Sequence, residues 1–96
     1  MGKERVNVII HGRVQGVFYR ASAREKAIEL GLTGWVKNRV DKKVEVVAEG
    51  DKKQLDNLIE WCHVGPPDAY VTEVEVKWEP YTGEFRDFSV KFREHS

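Results

Sequence analysis

The chain contains a single cysteine, Cys62, which therefore has no partner for an internal disulfide. One thiol fits a protein of the reducing cytoplasm, which is where we expect this protein to act. No apolar run approaches the roughly 20 residues of a membrane-spanning helix, so we expect no association with a membrane. Residues 1–5 lead directly into the first predicted strand, and no signal peptide is expected either.

The chain also lacks net charge, because 16 Lys and Arg residues balance 16 Asp and Glu residues. The distribution is uneven: residues 1–43 carry ten basic and four acidic side chains, whereas residues 44–96 carry six and twelve. Domains that bind nucleic acid usually carry net positive charge, so we expect no nucleic-acid partner. The basic first part suits a small anionic ligand instead. A chain of 96 residues is expected to form one domain over residues 1–96.

Apolar residues that alternate with polar ones predict five strands. These strands cover residues 5–12, 33–39, 44–49 and 71–78, and a short last strand contains Phe88, Val90 and Phe92. Two helices are predicted between them, one over residues 22–30 and one that follows Asp51 as its N-cap. Both helices have an apolar stripe at helical spacing: Ala23, Ala27 and Leu30 in the first, and Leu55, Leu58, Ile59 and Cys62 in the second.

The predicted order is strand, helix, strand, strand, helix, strand, strand. Its first six elements are two strand–helix–strand halves, which are typical of ferredoxin-like domains. We therefore predict an α+β protein, a ferredoxin-like α/β sandwich of βαββαβ order with an extra short C-terminal strand. Its two helices should lie on one face of a mainly antiparallel sheet.

Gly12 and Gly16 bracket a short loop that leads from the first strand toward the first helix and ends in Arg20. Glycine permits positive φ and close backbone approach, so successive N–H groups can point at one oxyanion. A helix N-terminus adds unpaired donors, and an arginine adds a charged fork that matches phosphate. The loop has neither the Gly-Lys-Ser/Thr of a Walker A motif nor the Gly-x-Gly-x-x-Gly of a dinucleotide site. From spacing alone, an ordinary turn with a surface arginine remains the alternative.

Most catalytic constellations are missing. His11, His63 and His95 are far apart in sequence, Cys62 lies on an apolar stripe, and the acidic residues of the second half are interpreted as solvated surface. We expect neither a metal nor another cofactor. One arginine and a group of amides suit phosphoryl transfer from a donor with a good leaving group, since that chemistry relies on positioning and charge stabilisation. A carboxamide can orient the attacking water.

Two segments resemble the signatures of a known family. Residues 12–20 resemble the first signature of the acylphosphatases, and residues 34–38, followed by Val44, Glu45 and Gly50, resemble the second. Residues 65–67 with the strand over 71–76 resemble the C-terminal part of that family. The resemblance implies a small enzyme that hydrolyses acyl phosphates to a carboxylate and inorganic phosphate without a metal.

By this resemblance, Arg20 and the loop amides bind the phosphoryl group, and Asn38 orients the attacking water from the second strand. The implied phosphate-binding loop consists of Gln15, Gly16, Val17, Phe18, Tyr19 and Arg20. Without the resemblance, Asn38 would be interpreted as a strand-end amide that satisfies a turn. Family members usually have Asp-Gly where this chain has Asp41-Lys42, so a tight hairpin there requires Lys42 to adopt a positive φ.

Two other functions compete with hydrolysis. The first is a non-catalytic module that holds phosphate or carbamoyl phosphate, and the second is a ferredoxin-like regulatory or RNA-binding domain. Trp35, Trp61 and Trp78 do not form the stacking platform of an RNA-recognition domain, and the zero net charge also counts against RNA. We expect a monomer whose partner is a small acyl phosphate.

Overall fold

The computed structural model describes residues 2–91, which form five strands and two helices in the predicted order. The strands are β1 (Lys3–Arg13), β2 (Thr33–Asn38), β3 (Val44–Asp51), β4 (Tyr70–Glu79) and β5 (Phe88–Lys91). The helices are α1 (Tyr19–Glu29) and α2 (Lys52–Cys62). Neither of these two helices is long and apolar enough to cross a membrane.

The strands form one sheet in the order β4-β1-β3-β2-β5. Neighbouring strands are antiparallel in three of the four pairs, and β5 runs parallel to β2. The predicted ferredoxin-like sandwich with an extra short strand is therefore confirmed. This order places β2 between β3 and β5. The end of β2 lies beside the start of α1 and the loop that precedes it.

The core lies between one face of the sheet and both helices. On β1, Val6, Val8 and Ile10 are fully buried, and the residues between them are only partly buried. This alternation is the period of two that a strand with one buried face requires. They pack in one cluster with the apolar stripes predicted for both helices. The fully buried residues of these stripes are Ala23, Ala27, Leu55, Leu58 and Cys62. The opposite face, which we call the open face, carries the alternate residues of each strand.

A glycine ends helix α1. Gly31 has φ 74°, its N–H donates to Ile28 O at 3.0 Å, and Leu32 N donates to Ala27 O at 2.9 Å. These two bonds are the Schellman arrangement, which satisfies carbonyls left free at a helix end. Leu32 is buried immediately after the turn and joins the core.

Several predicted boundaries are wrong. Helix α1 begins at Tyr19 rather than Ser22, because its N-cap is Phe18 in a left-handed conformation without any side-chain cap. Strand β3 continues through Gly50 to Asp51, and Asp51 is the N-cap of α2 as predicted but makes no side-chain cap hydrogen bond. Phe92, assigned to the last strand from sequence, lies outside the described residues.

The burial of Glu49 is the main feature of the core that the sequence does not predict. The sequence predicts that Glu49 is solvated like the other carboxylates, yet it is only 1% exposed on the open face. Its carboxylate accepts hydrogen bonds from Thr82 N (2.9 Å), Thr82 Oγ1 (2.7 Å), Gly83 N (3.0 Å) and Arg5 (3.2 Å). Residues 80–87 connect β4 at one edge of the sheet to β5 at the other, and Glu49 holds this connection across the open face.

Candidate active site

The loop between β1 and α1 has the backbone geometry of an anion-binding turn. Gly16 and Phe18 have φ values of 77° and 65°, while Val17 between them does not have a positive φ. Residues of alternating handedness turn successive N–H groups toward one side, which creates a concavity for an anion. Helix α1 starts immediately afterwards, and its uncapped first turn leaves N–H groups without intrahelical partners.

Arg20 stands in the first turn of α1 with its side chain partly buried. Among residues 2–91 no hydrogen-bond or ion-pair partner of its guanidinium is found. Other arginines behave differently: Arg24 donates to Phe88 O at 3.2 Å, and Arg5 contacts the carboxylates of Glu49, Glu79 and Glu84. Arg20 therefore presents, beside the loop, a positive charge that none of the described residues compensates.

Asn38 is the last residue of β2 and lies next to the loop, as expected from the sequence. Its Oδ1 atom is buried and has no hydrogen-bond partner within the described part of the chain. Buried polar atoms almost always have a partner, so an acceptor left open in this way is suited to a bound water or ligand. The alternative role, an amide that satisfies a turn through this oxygen, does not agree with this geometry.

Arg20 and Asn38 line one cavity of about 360 Å³. Gly16 also lines the cavity, and its apolar lining consists of Val14, Phe18, Tyr19, Ala21 and Val90. The cavity therefore combines three elements of the structure: the β1–α1 loop with α1, the end of β2, and β5. It brings the Arg20 guanidinium, an anion-binding turn and the Asn38 amide oxygen to one place.

Gln15 fixes the loop to the hairpin that follows Asn38. Its Nε2 donates to the carbonyl oxygens of Arg39 and Lys43, both at 2.9 Å. Both amide N–H groups are thus used on the scaffold, and the loop and the β2–β3 hairpin are held at a fixed separation. Within the predicted phosphate-binding loop, the Gln15 side chain is therefore occupied in positioning.

Tyr19 also serves the scaffold through its side chain. Its hydroxyl donates to Cys62 O at 2.7 Å and its ring contacts Trp61, so α1 is tied to the end of α2. Burial raises the pKa of Tyr19 well above its usual value and raises the pKa of the Cys62 thiol to about 12. Cys62 is thus a neutral, buried core residue, as predicted, and is not an activated nucleophile.

The β2–β3 hairpin has the positive φ expected at Lys42, which is 72°. Lys42 N donates to Arg39 O at 3.2 Å and Arg39 N donates to Lys43 O at 2.8 Å, so the loop has three residues, 40–42. The Asp41 carboxylate accepts bonds from Arg39 at 3.1 and 3.2 Å, and these bonds lower the pKa of Asp41. The hairpin thus reaches the usual turn geometry with lysine at the left-handed position.

One titratable cluster was not visible in the sequence. On the open face, His11 of β1 makes a hydrogen bond with Glu75 of β4 and lies near Glu73, with ligating atoms within 4.8 Å of one another. Strand pairing unites these residues, which are more than 60 positions apart in the chain. None of the three lines the cavity that contains Arg20 and Asn38.

The chain is similar to acylphosphatases both in sequence and in structure. A family model for acylphosphatases matches residues 6–90. An acylphosphatase from Methylococcus capsulatus is 58% identical, over 91% of this chain and 95% of the relative. One from Pelotomaculum thermopropionicum is 47% identical, over 96% of this chain and 100% of the relative. The structure of an acylphosphatase from Coxiella burnetii superimposes with a TM-score of 0.88 at 43% identity and 93% coverage of both chains.

Proposed function

The chain belongs to the acylphosphatase family, and from that premise we propose which of its residues carry the reaction. The protein is an acylphosphatase, a hydrolase that splits the anhydride bond between a carboxyl group and phosphate. In our proposal, Arg20 and the loop amides from Gln15 to Arg20 hold the phosphoryl group. Asn38 orients the attacking water.

The open acceptor of Asn38 is the observation that carries this proposal. Its buried Oδ1 lacks a partner and lines the same cavity as Arg20, whose charge is uncompensated by the described residues. A water that donates one hydrogen to Oδ1 can direct an oxygen lone pair toward phosphorus. The phosphoryl group meanwhile lies against Arg20 and the N–H groups of the loop.

The reaction then needs little from the protein beyond positioning. The water oxygen forms a bond to phosphorus while the bond from phosphorus to the carboxyl oxygen breaks. The carboxylate leaves with the electron pair and without a proton, because it is a stable anion at neutral pH. Both protons of the water remain with the phosphate product. Arg20, the loop amides and the start of α1 stabilise the negative charge on the phosphoryl oxygens throughout.

We also propose that catalysis is independent of metal ions. The positive charge that a bound Mg²⁺ supplies in other phosphoryl-transfer enzymes is supplied here by Arg20 and the loop amides. Addition of EDTA should therefore leave the rate of hydrolysis unchanged. A loss of activity that is restored by a divalent ion would refute this part of the proposal.

The assignment of Arg20 is tested with an acyl phosphate such as benzoyl phosphate, by following the loss of the anhydride. Arg20→Ala should lower kcat/KM by roughly 10³–10⁵-fold, as for other transition-state arginines. Arg20→Lys should remain severely impaired, because a point charge cannot replace the bidentate fork. Arg24→Ala is the matched control: it removes an arginine from the same helix but outside the cavity, and activity should stay within a few-fold of wild type.

Two outcomes would contradict the proposal. Arg20→Ala activity within a few-fold of wild type would remove Arg20 from the site. Wild-type protein that binds inorganic phosphate but leaves the anhydride intact would be a binding module rather than an enzyme.

The proposal extends to a monomer that acts in the cytoplasm. In the proposed mechanism Arg20 and Asn38 of one chain act together, and no residue of a second copy is needed. A free, buried Cys62 thiol supports a reducing compartment. Light scattering of the purified protein at working concentration would test the oligomeric state.

A further inference from the structure

Phe18 combines an unfavourable backbone with an exposed side chain. Its φ and ψ are 65° and 24°, a left-handed conformation that a Cβ atom disfavours and that glycine adopts freely. Its side chain is 79% exposed, more than any other large apolar side chain among residues 2–91. The fold therefore gains little packing from an aromatic residue at a position where glycine would be less strained. A large ring held there suggests a contact with something other than the core.

The ring borders the cavity of the proposed reaction. Phe18 lines it together with Arg20 and Asn38, and Ala21 and Val90 add to the apolar lining. The phosphoryl group is assigned to the lining residues Gly16 and Arg20. An acyl phosphate carries its acyl group on the oxygen opposite the attacking water, so this group needs its own place along the cavity wall. The apolar lining residues are those that remain for it.

We propose that Phe18, Ala21 and Val90 form an acyl subsite that favours acyl phosphates with an aromatic or bulky apolar acyl group over those with a small one. This inference rests on the proposed function. An aromatic acyl group can pack against the Phe18 ring, and such ring pairs contribute beyond the area that they bury. Small acyl groups such as acetyl leave the ring exposed and gain little. Phe18 is thus a specificity residue for the leaving group.

The contact should act mainly on binding. The acyl group undergoes little change next to the ring as the bond to phosphorus breaks, so the contact is similar in the ground state and the transition state. Interactions of this kind change KM rather than kcat. Removal of the ring should therefore raise KM for an aromatic substrate more than it changes kcat for that substrate.

The test compares benzoyl phosphate with acetyl phosphate in the full-length protein. The quantity of interest is the ratio of kcat/KM for the two substrates, relative to the same ratio in wild type. This double ratio cancels the difference in intrinsic reactivity and any general loss that a loop variant imposes on both substrates. Phe18→Ala should lower it about tenfold, with most of the change in KM for benzoyl phosphate.

Four further variants separate the ring from the backbone. Phe18→Gly relieves the left-handed strain but also lacks the ring, so it should lose selectivity as Phe18→Ala does. Phe18→Tyr keeps the ring and should keep the ratio. Tyr70→Ala removes another highly exposed aromatic side chain, on β4 and outside the cavity, and should not change the ratio. Val90→Thr makes the lining at β5 polar without changing the loop, and it should lower the ratio even if the Phe18 variants prove too slow to assay.

The outcomes are distinguishable. Wild-type protein that hydrolyses neither substrate would overturn the proposed function, and the acyl subsite with it. Wild-type protein that hydrolyses both, with a ratio that stays within twofold of wild type in Phe18→Ala and Val90→Thr, would overturn the subsite alone. Equal losses on both substrates in Phe18→Ala and Phe18→Gly would assign Phe18 to the shape of the loop, which also overturns the subsite.

Discussion

Replacement of Glu49 by glutamine should destabilise the fold strongly, although the two side chains have the same shape. Glu49 accepts three of its hydrogen bonds on Oε2, from Arg5 and from the N–H and hydroxyl of Thr82, and one on Oε1, from Gly83 N. Glutamine can keep its oxygen at the Oε2 position. Its amide nitrogen then faces the Gly83 N–H, and two donors point at each other in a buried site.

The magnitude follows from these contacts. An unsatisfied buried donor costs about 1–3 kcal/mol, and loss of the carboxylate charge weakens the remaining bonds by about 1 kcal/mol in total. Together these give a loss of about 3 kcal/mol for Glu49→Gln. A domain of this size loses roughly 4–8 °C in Tm for each 1 kcal/mol, so Tm should fall by about 15 °C. Glu79→Gln is the control, because Glu79 also contacts Arg5 at 3.0 Å but is partly exposed, and it should cost less than about 1 kcal/mol.

The assay is equilibrium unfolding in urea, with wild type, Glu49→Gln and Glu79→Gln compared at equal m-value. Burial alone would raise the pKa of Glu49, but the bonds from Thr82, Gly83 and Arg5 outweigh it and hold the pKa below its usual value of 4.5. A lowered folded-state pKa contributes stability above the unfolded pKa, and this stability disappears as the pH falls through the folded value. The difference between wild type and Glu49→Gln should therefore shrink below about pH 4.5. A Glu49→Gln loss no larger than that of Glu79→Gln would refute the anchoring role.

Two further substitutions probe the hairpin beside the cavity. Lys42→Gly removes the strain of a lysine in the left-handed conformation, on the order of 1 kcal/mol, and the greater unfolded-state entropy of glycine offsets part of this gain. The urea midpoint should therefore rise slightly or stay equal, and kcat should not change. A clear loss of stability would contradict the strain at Lys42. Gln15→Ala removes the two 2.9 Å hydrogen bonds between the loop and the hairpin, and it should lower kcat by at least about tenfold because Asn38 is misplaced. The matched control Gln54→Ala, on α2 and outside the cavity, should leave kcat unchanged. Full activity in Gln15→Ala, measured with benzoyl phosphate, would show that the tether is dispensable.

Most of the fold follows from local patterns in the sequence. Val6, Val8 and Ile10 show the period of a half-buried strand, and Leu55, Leu58 and Cys62 show that of an amphipathic helix, so both elements are predictable. The start of α1 is different, because Phe18 is a left-handed cap and has none of the side chains that normally indicate a helix N-terminus. A boundary set by backbone geometry leaves no mark in composition, and the predicted start was three residues late.

Contacts between distant segments account for the other errors. Glu49 looks like a solvent-facing residue of an alternating strand, because the connection that buries it lies more than 30 positions later in the chain. His11 and Glu75 meet only through the pairing of β1 with β4.

The candidate site was predictable for a different reason: Gly16, Arg20 and Asn38 lie in two recognisable signatures. Their meeting in one cavity depends on the strand order, which no local pattern contains.

The most direct test of the central claim separates chemistry from binding at Asn38. Asn38→Ala should be compared with wild type for kcat with benzoyl phosphate and for competitive inhibition by inorganic phosphate. An amide that orients the attacking water acts mainly in the transition state, so kcat should fall about a hundredfold or more while the inhibition constant for phosphate stays nearly unchanged. A parallel loss of phosphate affinity, or turnover within a few-fold of wild type, would contradict the role of Asn38 and the mechanism built on it.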